Sequence, residues 1–215
     1  MNIKKLIGMT LNSPRLKILE LTEGVLIDVY TIVKFWLLEK ESAPKNGIHR
    51  YIFDSPRFTT SALDPYLSLP ADVVAELGES VMGKLTVIFR KGVEVARQNQ
   101  LCHTDYLTAY LRFKLEIIEP KQRFTGFTTH RDGHQFTIVV PLGTENLSAT
   151  PTQFFDDASR SLGTVGLPGE IAVFDGDLLH NGSAADLENP RVEGFRLVLA
   201  FFVCKPNEEL HAHII

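Results

Sequence analysis

Between Leu107 and Glu119 apolar and polar side chains alternate. Leu111, Phe113, Leu115 and Ile117 fall on one side, and Tyr110, Arg112, Lys114 and Glu116 on the other. Successive side chains of an extended strand point to opposite faces, so this period of two predicts a long strand with one buried face. Gln135 to Leu142, Glu170 to Phe174 and Phe195 to Cys204 are further strand segments, rich in Val, Ile, Leu and Phe, and Thr86 to Arg90 reads as a short one. Turn residues separate them at Asp132-Gly133, Asp175-Gly176 and Asn181-Gly182. Many short strands punctuated in this way predict a barrel or sandwich.

The N-terminal half has a different rhythm. From Thr22 to Glu41 an apolar stripe through Leu26, Val29, Val33 and Leu37 predicts a helix capped by Thr22. A second helix is expected to start after Pro70 and run to about Met82, burying Val73, Val74, Leu77 and Val81. The stretch between them, with Asn46-Gly47 and several prolines, reads as loop. The expectation is therefore a mostly β fold with flanking helices in a single domain over residues 1–215. Residues 1–100 form its largely helical support and residues 105–205 its β core.

Composition narrows the function. At 215 residues, 44% hydrophobic and 22% charged, the chain can bury a substantial core. A net charge of -4 argues against a nucleic-acid partner. The apolar run from Val25 to Leu38 is broken by Asp28 and Lys34, so no membrane-spanning segment is expected. Nor does the start, with its short apolar run, read as a signal peptide. Cys102 and Cys204 lack the spacing of a metal site or a disulfide framework, which fits a reducing compartment. The expected location is the cytoplasm, and the sequons at Asn146 and Asn181 are read as chance.

Two His-x-Asp sequences occur, His103-Thr-Asp105 and His130-Arg-Asp132. Side chains two apart on an extended chain share a side, so either pair can converge on one ion. A third ligand is available at His180, after the strand Glu170 to Phe174 and a turn at Asp175-Gly-Asp177. Two imidazoles and a carboxylate on one face of an octahedron leave open positions suited to non-haem Fe(II). Arg196 shares a face with Val198, Ala200 and Phe202 in an apolar strand, and a charge there needs a carboxylate partner, from the protein or from a ligand. Tyr110, Arg112 and Lys114 could add polar contacts inside a barrel, and a solvated sheet face explains them equally well. His130-Arg-Asp132 also has the order of a protein-kinase catalytic loop, but the position of its downstream Asn is Thr137 and no phosphate-binding Gly-rich loop precedes it. The glycines at 163, 166 and 169 lead into a strand rather than a helix, so they are not a dinucleotide fingerprint. The tail pair His211 and His213 is read as an ordinary terminus.

Taken in order, His130-x-Asp132, the run Gly169-Glu-Ile-Ala-Val-Phe-Asp-Gly-Asp-Leu-Leu-His180 and Gly194-Phe-Arg196 resemble the Fe(II)/2-oxoglutarate-dependent oxygenases, especially their phytanoyl-CoA dioxygenase and prolyl-hydroxylase-like groups. The resemblance covers roughly residues 107–204. It implies a double-stranded β-helix (jelly-roll, cupin-type) core with His130, Asp132 and His180 as catalytic iron ligands. Within it His130 is preferred to His103, because a strand follows it at once. Arg196 would bind the distal carboxylate of 2-oxoglutarate, with Arg191 as a substitute and Thr137 as a further cosubstrate contact. The implied activity uses Fe(II), O2 and 2-oxoglutarate to oxidise a C–H bond of a small-molecule or peptide substrate, releasing succinate and CO2. Val198 departs from the Ser or Thr that relatives often carry two residues after the arginine. Asp132 departs from the small residue of halogenases. The long segment Gly143 to Gly169, with Phe154 and Phe155, is expected to form part of a lid. The rival readings are a cupin-like metalloenzyme that does not use 2-oxoglutarate and a non-catalytic β-barrel binding module.

Overall fold

The computed structural model describes residues 13–21, 26–40, 43–45, 47–148 and 150–205. The alternating segment is β5 of the chain, Tyr106–Ile118. Before it come β1 (Leu16–Glu20), α1 (Ile27–Leu38), β2 (Ala43–Lys45), β3 (Ile48–Asp54), β4 (Phe58–Ser61) and α2 (Ala71–Gln98). After it come β6 (Phe136–Glu145), β7 (Thr152–Phe155), β8 (Ser161–Val165), β9 (Glu170–Asp175), β10 (Leu179–Gly182) and β11 (Gly194–Val203).

All pairings are antiparallel. The larger sheet runs β1-β9-β6-β11-β5-β3-β2, with β4 against the start of β5, and the smaller runs β10-β7-β8. The larger sheet is buried on both faces. Leu111, Phe113 and Leu115 of β5, Leu197, Leu199 and Phe201 of β11, and Ile138 and Val140 of β6 pack on one face against the two helices. Val33 and Leu37 of α1 and Leu85, Ile88 and Phe89 of α2 supply the other half of that core. On the opposite face Val139, Ala172, Phe174, Ala200 and Phe202 meet Phe154 and Val165 of the smaller sheet. Each fully buried Leu, Ile or Phe contributes about 1.5–3 kcal/mol, so both faces hold the sheets in place. This is a jelly-roll core with flanking helices, the double-stranded β-helix.

The stripe Leu26, Val29, Val33, Leu37 is buried as its period required. Thr22 and the His211/His213 tail lie outside the described residues. Three segments depart from their sequence reading. Thr86 to Arg90 is helix, because α2 continues to Gln98 across a break at Gly78 (φ 80°). Its β-branched residues imitate a strand over five positions. Over the full length the buried set Leu77, Val81, Leu85, Ile88, Val93, Ala96 repeats every three to five residues, as one face of a helix does. Val74 is only partly buried. The stretch read as loop holds β2, β3 and β4, and β1 precedes α1, so the first hundred residues extend the sheet as well as covering it. Segment 143–169 is not a lid. It carries the end of β6 and the hairpin β7-β8, with Phe154 fully buried, and so forms most of the smaller sheet.

The crossing of α2 over the sheet depends on Gly92, where an added Cβ would run into Ile138 Cδ1, Cγ1 and Cγ2. Gly92→Ala is expected to destabilise the protein by about 1–3 kcal/mol. Gly83→Ala, on the same helix with open space around it, is expected to stabilise it by about 0.5–1 kcal/mol. Urea unfolding of the two variants checks both signs.

Candidate metal centre

β10 does more than complete the smaller sheet. Its His180 pairs with His130 by two reciprocal backbone hydrogen bonds, His130 N to His180 O (2.9 Å) and His180 N to His130 O (3.0 Å). The rings of the two histidines are thereby brought to 4.3 Å between centroids. Asp132 follows His130 by two residues and lies on the same side of the chain. The turn that redirects the backbone into β6 has Gly133 at φ 75°, a left-handed conformation that glycine takes at little cost, and Gly133 N donates to Gly176 O. Asp132 Oδ1 is then 3.6 Å from His130 Nε2 and 3.5 Å from His180 Nε2. Ligand atoms of all three residues lie within 4.8 Å of one another, and they are the group of this kind among the described residues. Three donors about 2.1 Å from one ion and at right angles would be about 3 Å apart, close to the two histidine–aspartate separations.

The donor chemistry fits a metal. His130 Nδ1 donates to Thr128 O at 2.9 Å and His180 Nδ1 to Leu178 O at 3.0 Å, so each ring keeps its Nε2 lone pair toward Asp132. Asp132 Oδ2 accepts from Thr137 Oγ1 at 2.8 Å, which leaves Oδ1 turned to the histidines. Burial works against the Asp132 carboxylate, yet His180, Thr137 and His130 together hold its pKa below the ordinary value. Burial likewise opposes a charge on His180, while Asp132 and the Leu178 carbonyl outweigh it and raise the imidazole pKa. Phe154 and Phe174 pack around His180, whereas His130 is about half exposed. The cluster thus has a dry side and an open side.

The remaining sequence candidates, and the residues flanking the cluster, fall in different places. His103 and Asp105 are both exposed at the entry to β5, away from this cluster. His134 is hydrogen-bonded through Nε2 to Tyr110 Oη (3.1 Å) and packs on Phe202, beside the cluster. Arg131 points away from it, to Asp157 and the carbonyl of Asp177. Thr137 is fully buried and orients Asp132. Arg191 is exposed in the turn before β11.

Arg196 is buried on the sheet face between the two sheets, and its partner is Glu116, directly opposite it on β5 (Nη1 to Oε2, 3.2 Å). Glu116 does not serve Arg196 alone. Arg50 of β3 reaches the same carboxylate (Nε to Oε1, 3.1 Å), and so does Lys114 (Nζ to Oε1, 3.5 Å). Phe127 packs over the cations, 3.3 Å from Lys114 Nζ to ring centroid. Burial lowers the Arg196 pKa against the opposing pull of Glu116. Lys114 belongs to the set already singled out on β5, but Arg50 went unread. Its strand alternates weakly because an inward position is taken by a cation in place of an apolar side chain.

The two sheets and the His-Asp-His cluster between them make this a double-stranded β-helix protein with a candidate metal centre. Solved structures share the fold. The chain resembles IDO from Bacillus thuringiensis, with a TM-score of 0.62 at 14% identity over 87% of this chain and 92% of that one. It also resembles an Fe(II)/α-ketoglutarate-dependent dioxygenase, TqaL, at 0.62 and 16% over 89% and 83%. A Pseudomonas putida prolyl-4-hydroxylase follows at 0.51 and 13% over 89% and 92%. No family model and no curated protein matches the sequence. No helix among the described residues is long and apolar enough to cross a membrane.

The role of Thr137 can be checked directly. Thr137→Val keeps the shape but releases Asp132 Oδ2, and should weaken binding of Co(II) by about 10- to 100-fold in a spectroscopic titration. An unchanged affinity would mean that the hydrogen bond does not position the carboxylate.

Proposed function

We propose that the protein is a non-haem Fe(II)- and 2-oxoglutarate-dependent dioxygenase that oxidises a C–H bond of a small-molecule or peptide substrate. The observation that carries this reading is the placement of two sites on one face of β10. His180 belongs to the candidate metal centre. Gly182, two residues on, is where an added Cβ would come within 3.6 Å of Arg196 Nη1. Two residues of strand advance about 6–7 Å, a span that a five-carbon diacid bridges between a metal and a cation.

His130, Asp132 and His180 would hold the iron through two Nε2 atoms and Oδ1. When bound, Fe(II) supplies the redox centre at which O2 is reduced while the 2-oxo acid goes to succinate and CO2 and a substrate C–H bond is oxidised. The chain's own groups do the rest. Thr128 O and Leu178 O fix the imidazole tautomers, and Thr137 fixes the carboxylate. Arg196 receives the distal carboxylate, and Phe154 and Phe174 keep water from the inner side of His180. The open side at His130 is where a substrate enters, beside Tyr110 and His134.

Adding Fe(II) and then 2-oxoglutarate without oxygen should produce the weak visible charge-transfer band of a chelated 2-oxo acid. The band should vanish in Asp132→Ala, persist in His103→Ala, and need at least tenfold more cosubstrate in Arg196→Leu. Bound iron without a band would favour a cupin-like enzyme that does not use 2-oxoglutarate. Failure to bind iron would favour a binding module.

A further inference from the structure

The cation cluster is larger than a single carboxylate clamp requires. Arg50, Lys114 and Arg196 come from three neighbouring strands and converge on Glu116, whose side chain is about 1% exposed. Among the described residues no other carboxylate acts on Lys114 or Arg196. Two of the three positive charges therefore have no carboxylate of their own. Arg196 is nearly closed off from water at 6% exposure, while Lys114 and Arg50 keep 21% and 27%, so the cost of uncompensated charge falls mainly on Arg196, and the Phe127 ring offsets only part of it. Such a cluster is built to accept an anion.

The register of β5 against β11 indicates which cation meets it besides Arg196. Lys114 is the direct cross-strand partner of Val198, on the same face as Arg196. Val198 occupies the position where a hydroxyl would help Arg196 hold a carboxylate. The lysine fills that role from the adjacent strand.

We propose that Lys114 is a second cosubstrate-binding residue, donating with Arg196 to the distal carboxylate of the 2-oxo diacid, while Glu116 and Arg50 hold the two cations in place. The inference rests on the 2-oxoglutarate reading above. Four groups surround Lys114: Glu116 on its own strand, Arg196 on β11, Arg50 on β3 and the Phe127 ring from the segment before His130. Burial first, then Arg196 and Arg50, push its pKa down to about 8 against the pull of Glu116. Below pH 8 the lysine carries its charge and needs no proton to bind a carboxylate. Above pH 8 a proton must be taken up on binding, so affinity falls by up to tenfold per pH unit.

The test is the anaerobic Fe(II) titration on wild type, Lys114→Met and Lys114→Arg from pH 7 to 9, read by the charge-transfer band. The two probes are 2-oxoglutarate and 2-oxobutanoate, which shares the chelating end but has no distal carboxylate. Lys114→Met should bind 2-oxoglutarate at least tenfold more weakly at pH 7 and lose the pH dependence. Lys114→Arg should bind it well at every pH, and all three proteins should bind 2-oxobutanoate alike. Unchanged 2-oxoglutarate affinity in Lys114→Met would overturn the proposal and leave the cosubstrate reading standing. Equal loss of both acids would also overturn it, since the lysine would then be holding the site together. Absence of a band from iron-loaded wild type with either acid would overturn the cosubstrate reading itself.

Discussion

The reciprocal backbone hydrogen bonds between His130 and His180 are the constraint on which the rest of the site depends. They join the segment entering the larger sheet to the last strand of the smaller one, 50 residues later in the chain. A period-two strand geometry then fixes the next neighbours. Asp132 falls on the side of His130, and Gly182 on the side of His180. The candidate metal-binding cluster and the cation cluster thus become two stations on one strand face, set by backbone pairing before any side chain chooses a rotamer.

Both clusters show how the space between the sheets tolerates charge. At the histidines each polar atom not turned to the centre is already satisfied, by Thr128 O, Leu178 O or Thr137 Oγ1. At Glu116 the carboxylate is shared three ways, so three cations face one anionic group. The first cluster is pre-organised and the second is under-neutralised. On the proposed reading, together they would select a ligand with a chelating end and an anionic end.

Much of this was legible in the sequence. His130, Asp132 and His180 come together, and Arg196 lies inward, because strand alternation and turn residues are local signals. A resemblance in motif order separated His130 from His103, whose spacing is the same. The losses have physical causes. Thr86 to Arg90 carries β-branched residues whose helical period emerges only over the full length of α2. β3 was hidden because Arg50 interrupts its apolar alternation, and that interruption is its contribution to the cation cluster. The hairpin β7-β8 looked like a lid, since strands of four and five residues among turn residues have no strong period of their own. Thr137 was marked for the cosubstrate, and in the structure its hydroxyl donates to Asp132 Oδ2, a tertiary contact that strand period does not reveal.

The account is tested most directly by a crystal structure grown anaerobically with Fe(II) and 2-oxoglutarate, with anomalous scattering collected at the iron edge. The expected result is one iron peak bonded to His130 Nε2, Asp132 Oδ1 and His180 Nε2, chelated by the 2-oxo acid, whose far carboxylate reaches Arg196. Iron bound elsewhere, or a 2-oxo acid directed away from β10 and Arg196, would contradict it.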